Sequence, residues 1–250
     1  MQIDFPKAQQ IPLLRALWQE AFGDDDAFLD RFFAIAYSPR RCRCVTQGDA
    51  LTAALYWFDC STKAGKYAYL YAVATANAYR NRGLCRRLME DTHRLLAESG
   101  YQGAVLVPAS PALTAMYAGM GYVPLSGMDS LSAMAGDKPV PVRQIDANCY
   151  SALRRTYLGT GGLVQEGAGL DFLSGWASFY EGEDFLLAAS RKDSALQGLE
   201  LLGSTRNLSG ILSALGATSG TFRVPGTTPF AMFLPFTEAP APTYFGLAFD

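Results

Sequence analysis

The sequence predicts an α/β protein with a mixed sheet, built as two successive halves. Three observations carry this. Residues 67–121 read strand, turn, helix, strand, helix, a crossover unit that requires two parallel strands. Two helical patterns and a hairpin-like pair of apolar runs precede that unit and add antiparallel strands. The order helix, helix, hairpin, helix, strand returns after residue 141, so an internal duplication is expected although few residues match. With 250 residues, half of them hydrophobic, the chain can bury a large core. The division expected is a first domain over residues 1–130 and a second over residues 141–250.

Residues 11–22, IPLLRALWQEAF, space Leu13, Leu14, Leu17, Trp18 and Phe22 along one helix, and AFLDRFFAIAY continues as a second. Between them stands GDDD. Asp24 to Asp26 have two readings: an acidic cluster that binds an amine, or an N-cap with first-turn acids favoured by the helix dipole. The second is plainer and is preferred. RCRCVTQ and ALTAALYWF flank Gly48-Asp49 and read as a hairpin over residues 41–58. KYAYLYAVATA is apolar on both faces, as a buried central strand must be.

A helix follows with Leu84, Leu88, Thr92, Leu95 and Leu96 on one side, and it stops at Gly100. GAVLVP is a short buried strand, and PALTAMYAGMG a helix with Pro111 in its first turn. The Ser, Gly, Ala and Pro between Gly127 and Pro141 read as a linker or long connection. Beyond it CYSALRRTYL and LDFLSGWASFY read as helices, and DFLLAAS and LQGLELLG as a hairpin around Lys192-Asp193. NLSGILSALG reads as a helix, and TFRV, FAMFLPF and YFGLAF as closing strands.

Charge and cysteine usage narrow the function classes. A net charge of −2 gives no support for a general affinity for nucleic acid or an anionic membrane. The five cysteines, Cys42, Cys44, Cys60, Cys85 and Cys149, lack the spacing of a zinc site or a secreted disulfide framework. No metal is therefore expected, and a cytoplasmic location is. The N-terminus lacks the apolar core of a signal peptide, and no apolar run reaches transmembrane length.

The stretch YRNRGLCRRLM carries the chemistry. A helix beginning near Arg82 or Gly83 leaves its first N–H groups unpaired at the positive end of the dipole, which makes an anion site. Gly83 removes a side chain that would hold a phosphate away from the backbone. Arg80, Arg82, Arg86 and Arg87 repel that positive end unless an anion sits between them. Neither the P-loop pattern nor GxGxxG is present.

Arg80-Asn81-Arg82-Gly83-Leu84-Cys85 resembles the R/Q-x-x-G-x-G/A signature of the GCN5-related N-acetyltransferases (GNAT), with Cys85 at the last small position. VATANAY resembles that family's central strand, and AMYAGMGYVPL its FYxxxGF segment, so the resemblance covers residues 45–125. It implies acetyl-CoA or another acyl-CoA as acyl donor. Backbone groups of Val73, Ala74 and Thr75 would meet the pantetheine arm. Arg80, Asn81, Arg82, Gly83, Leu84, Cys85 and Arg86 would surround the pyrophosphate, and Ser110 would line the cleft or cap the following helix. Tyr117 matches the tyrosine that protonates the departing thiolate in many members, while Tyr122 reads as packing. His93 lies ten residues into the helix and reads as a surface residue too distant to act. Asp59, Tyr69 and Tyr71 could act as bases through water.

The two-part layout is similar to that of the enhanced-intracellular-survival type acetyltransferases, in which a degenerate GNAT-like copy follows the first, but this chain is too short for their extra C-terminal domain. Arg206-Asn207-Leu208-Ser209-Gly210 is one residue too long for the signature, so no second CoA site is expected. In those relatives a chain-terminal carboxylate reaches the cleft. TYFGLAFD reads as a buried strand ending on Asp250, which is the candidate base. The implied activity is transfer of acetyl to the primary amine of a small molecule by direct attack, by a monomer or a homo-oligomer. The alternatives are a CoA-binding sensor without turnover and a protein or peptide N-acetyltransferase.

Overall fold

The computed structural model describes residues 1–249. Strands β1 (Gln2–Asp4), β2 (Cys42–Gln47), β3 (Ala50–Thr62) and β4 (Gly65–Thr75) pair antiparallel in that order, and β5 (Gly103–Leu106) adds parallel to β4. The two-residue period of β3 shows why both faces are covered. Ala54, Tyr56, Phe58 and Cys60 join α1 (Ile11–Phe22) and α2 (Asp26–Arg31) in one core. Ala53, Leu55 and Trp57 join α3 (Leu84–Glu98) in another. On α3 the buried Leu84, Leu88, Met89 and Leu96 each contribute roughly 1.5–3 kcal/mol of burial. A π-helical turn, Phe32–Ala36, extends α2, and α4 (Pro111–Ala118) follows β5.

Next come β6 (Val123–Met134), β7 (Arg143–Ile145), α5 (Ala147–Leu158), β8 (Val164–Gln165), α6 (Ala168–Leu173) and β9 (Ala177–Glu181). The chain closes with β10 (Phe185–Lys192), β11 (Ala195–Gly203), α7 (Leu208–Ala214) and β12 (Ser219–Pro235). The pairings β7–β9, β9–β10 and β10–β11 are antiparallel and β11–β12 is parallel, repeating those of β1 to β5. The two halves meet where β5 pairs antiparallel with β12, so one sheet runs without a break from β1 to β7.

Four expectations are corrected. Residues 127–134, expected as linker, belong to β6, which pairs with β12 along its length. Its apolar Leu131 and Ala133 alternate with exposed Ser130 and Ser132, a strand period too weakly apolar to read in one dimension. The run LDFLSGWASFY is helical only through Leu173; after Gly175, Ala177 and Phe179 turn inward on β9. TFRV and FAMFLPF form the single strand β12, with a bulged break in its pairing between Gly226 and Pro229. YFGLAF is no strand beyond one bridge from Tyr244 to Gly162. It is an extended segment, buried from Phe245 to Phe249, whose backbone is paired by side chains instead of by a ladder.

Candidate active site

β4 and β5 pair only at Ala68–Ala104 and Tyr69–Val105, so the strands part beyond Tyr69 and a cleft opens between them. Here β4 is bulged. Tyr71 faces Tyr56 and Ala74 faces Ala54, leaving Ala72 and Val73 opposite the single Leu55. Ala72 takes φ +49°, a left-handed value that costs a residue with a Cβ of the order of 1 kcal/mol. Ala74 and Thr75 stay paired with Ala54 and Ala53, but the other edge of β4 has no β5 partner beyond Tyr69, so sheet-like pairing with an extended ligand is available along residues 73–75.

At the far end of the opening the chain turns into α3. Asn81 (φ +60°) and Gly83 (φ +74°) are both left-handed, and alternating backbone signs of this kind turn successive N–H groups inward as an anion nest. Gly83 is the N-cap, and no side chain caps the helix. The first intrahelical bond runs from Arg87 N to Gly83 O, so the N–H groups of Leu84, Cys85 and Arg86 have no partner within the helix. A Cβ at Gly83 would meet no protein atom within 4 Å, so the glycine serves the positive φ rather than close packing. The arginines around the turn contact groups other than carboxylates. Arg80 Nε donates to Thr75 O (3.2 Å), Arg86 Nη1 donates to Gly119 O (3.1 Å), and Arg82 lies 5.2 Å from the Tyr79 ring centre. Among the described residues no carboxylate pairs with them, which leaves their charge available to an anion.

The cleft has a volume of about 800 Å³ and is lined by Val73, Leu106, Leu113 and Tyr117 on the side of this turn. Tyr117 is buried to 6 % exposure within the cluster that includes Leu84, Tyr122 and, at its edge, Cys85. Burial raises the pKa of the phenol well above its ordinary value, and the nearby Cys85 adds to the rise. It stays a proton donor across the physiological range. Ser110, expected to line the cleft or cap, does cap: its Oγ accepts from Leu113 N at 3.3 Å. Ala74, Thr75 and residues 80–86 are outside the lining of the cavity itself.

Other candidates fall elsewhere. The carboxylate of Asp59 accepts from the Tyr101 hydroxyl (2.5 Å) and pairs with Arg41 and Lys66, away from the cleft. His93 is not a surface residue. Its ring packs on Tyr122 and Phe236, Nε2 is 2.8 Å from the Tyr122 hydroxyl, and burial lowers its pKa to about 4. Tyr69 and Tyr71 line the cleft but grip the chain end: Phe249 N donates to the Tyr69 hydroxyl (3.3 Å), and the Tyr71 hydroxyl donates to Phe249 O (3.0 Å). Asp250 lies outside the described residues.

Sequence reasoning missed the other wall. Trp18, Phe22, Asp24 and Phe28 from the first helices, Trp176 and Phe230 from the second half, and Phe249 complete the cleft. For the rings the only signal was aromatic content, which core packing explains equally well, and Asp24 stood only in the acidic-cluster reading that was not preferred. At the corresponding end of the second half, residues 136–140 cross the start of α7, with Gly136 N donating to Ser209 O and Val140 N to Gly210 O. Among the described residues no cluster of three or more His, Cys, Asp or Glu could hold a metal ion, and no helix is long and apolar enough to cross a membrane.

Comparison with known proteins agrees with this geometry. The family model described as an acetyltransferase (GNAT) domain matches residues 2–125. No curated protein matches the chain in sequence. Among solved structures, a GCN5-related N-acetyltransferase from Kribbella flavida shares the fold at TM-score 0.70 and 19 % identity, covering 93 % of this chain and 70 % of its own. Another from Anabaena variabilis gives TM-score 0.72 at 13 % identity over 94 % of this chain and 73 % of its own. Eis1 from Mycobacterium abscessus gives 0.65 at 12 % over 92 % and 66 %. The strand opening, the bulge and the turned start of α3 agree with the family match, which makes residues 2–125 an acetyltransferase (GNAT) domain.

Proposed function

We propose that the protein is an acyl-CoA-dependent N-acyltransferase that moves acetyl from acetyl-CoA to the primary amine of a small molecule by direct attack. The observation that carries this is the joining of an uncapped, arginine-flanked helix start to a bulged strand edge through residues 76–83. The first suits a pyrophosphate, the second an extended amide-bearing arm, and acyl-CoA has both in that order.

Within this reading the N–H groups of Leu84, Cys85 and Arg86 and the guanidinium groups of Arg80, Arg82 and Arg86 hold the pyrophosphate. Backbone groups of Val73, Ala74 and Thr75 pair with the pantetheine. The thioester then lies near Tyr117 in a cleft whose apolar walls strengthen each remaining polar interaction. Attack by the neutral amine forms the C–N bond and breaks the C–S bond, the Tyr117 hydroxyl gives its proton to the departing thiolate, and the proton shed by the new amide nitrogen restores the phenol through water. The amine must first lose its own proton, and Asp250 keeps the role of base in the proposal. The cytoplasm, where thiols stay reduced, is the compartment proposed.

The test is calorimetry of acetyl-CoA binding beside CoASH release over a panel of amines and peptides. Gly83→Asp should abolish acetyl-CoA binding, because it adds a negative charge at the anion nest and a Cβ at φ +74°. Unchanged affinity in that variant would sink the site assignment. Tight binding with no release on any acceptor would favour a sensor.

A further inference from the structure

The three acids of the α1–α2 turn divide their work. Asp25 caps α2, its carboxylate accepting from Phe28 N at 2.8 Å. Asp26 accepts from Gln19 (2.9 Å) and pairs with Arg15 (3.3 Å). Asp24 does neither. It lines the cleft, and its Oδ2 accepts a 2.8 Å hydrogen bond from the Trp18 indole, which orients the carboxylate without neutralising it. Among the described residues it has no Lys or Arg partner, and among those that line the cleft it alone is charged.

The surroundings of Asp24 are aromatic. The Trp18 ring centre lies 5.7 Å from Phe22 and 6.2 Å from Phe28, and Phe28 lies 5.6 Å from Trp176. Tyr71 and Phe249 continue the wall toward β4. A carboxylate without a cationic partner attracts a single cation, and an apolar wall beside it screens that attraction less than open water does. Ring faces add cation–π attraction to that charge and cover an apolar body.

We propose that the acceptor is a lipophilic monoamine, an ammonium on an aryl or alkyl body, held with its charge at Asp24 and its body on the Trp18, Phe22, Phe28 and Trp176 rings. The assignment rests on the acyltransferase reading of the same cleft. A polyamine or an amino sugar would bring several charges to a cleft that has one carboxylate, Asp24, among the described residues, and would set much of its polar surface against aromatic walls. A neutral aromatic compound would leave Asp24 unpaired. One positive charge on an apolar body is the class that satisfies both the carboxylate and the wall.

The experiment is calorimetry on the full chain without acetyl-CoA, using 2-phenylethylamine, the isosteric neutral 2-phenylethanol and spermidine as probes. 2-Phenylethylamine should bind about tenfold or more tighter than 2-phenylethanol, and tighter than spermidine. Asp24→Asn should remove that advantage while 2-phenylethanol binds as before, with the melting temperature as a check that the variant is folded. Equal binding of the amine and the alcohol, preference for spermidine, or an unchanged amine affinity in Asp24→Asn would overturn the assignment. Acetyl-CoA affinity measured on the same sample separates the two claims. Failure of the amines in a protein that binds acetyl-CoA overturns the acceptor class alone, whereas amine binding without acetyl-CoA binding upholds the pocket and overturns the acyl-CoA reading.

Discussion

Tyr117 and His93 show burial acting on two titratable rings of one helix pair with opposite signs. Burial removes water from the charged form, so the phenol is held protonated and the imidazole is held neutral. For Tyr117 that is the state a proton donor needs. On the proposed function Tyr117→Phe should lower kcat on the order of 10², leaving the Kd for acetyl-CoA close to wild type, since the proton is given only as the C–S bond breaks. Stopped-flow turnover beside calorimetry checks this, and wild-type turnover with chemistry rate-limiting would reduce Tyr117 to packing. His93 was legible in the sequence only as a residue distant from the acyl site. That its ring sits on Tyr122 and Phe236 depends on a residue of β6's lead-in and on one just past β12, which no local spacing reports.

The last described segment, residues 244–249, is an element without regular structure, and it is held in place by a buried ion pair. Arg154 and Glu200 are both fully buried, with Nε to Oε2 at 2.6 Å and Nη2 to Oε1 at 2.9 Å. Arg154 Nη1 also donates to Gln165 Oε1 at 2.8 Å, and the Gln165 amide in turn donates to Leu247 O. The Tyr244 hydroxyl donates to Glu200 at 3.2 Å. These bonds give polar partners to a backbone that has no ladder, and they set Phe249 against the cleft. Glu200→Gln would leave the Arg154 charge buried and unpaired, at a cost of about 3–5 kcal/mol. Calorimetric melting should show a fall of roughly 10 °C or more. A shift within a degree would mean that the amide and water replace the pair. The run YFGLAF reads as a strand because its alternation is real, yet a strand also needs a neighbouring edge, and β8 is too short to provide one.

At the scale of the whole molecule, the two halves repeat one order of strands and pairings but share a single sheet and an apolar core. The first core contains Trp18, Tyr56 and Phe58 beside Phe172, Phe245 and Phe249, residues drawn from both halves. β6 lies between the halves in sequence and pairs with β12. A chain cut after residue 135 should therefore lose the partner of β5 and of β6 together, and it should not give a sharp near-UV circular dichroism spectrum. The intact chain should unfold in one transition, coincident by near-UV and far-UV signals. Two separate transitions, with a folded fragment over residues 1–135, would show that the halves are independent units.

The sequence by itself determined what depends on neighbours a few residues apart. The helical periods other than that of LDFLSGWASFY, the turn after Lys192 and the turn from Arg80 that opens α3 are set by side chains and φ preferences within one or two turns of chain, and each stands where the sequence puts it. Residues 127–134 were illegible as a strand because their polar alternation is stabilised only by the partner strand β12, about ninety residues away, whereas residues 135–141 do form the expected irregular connection. Only the tertiary structure decided the aromatic wall. Trp18, Trp176 and Phe249 are apolar residues that any core would take, and they face a cleft because the second half packs its helix end and its final segment across the opening between β4 and β5. Periodicity reports which residues are apolar, but which apolar residues border a void is settled by long-range packing.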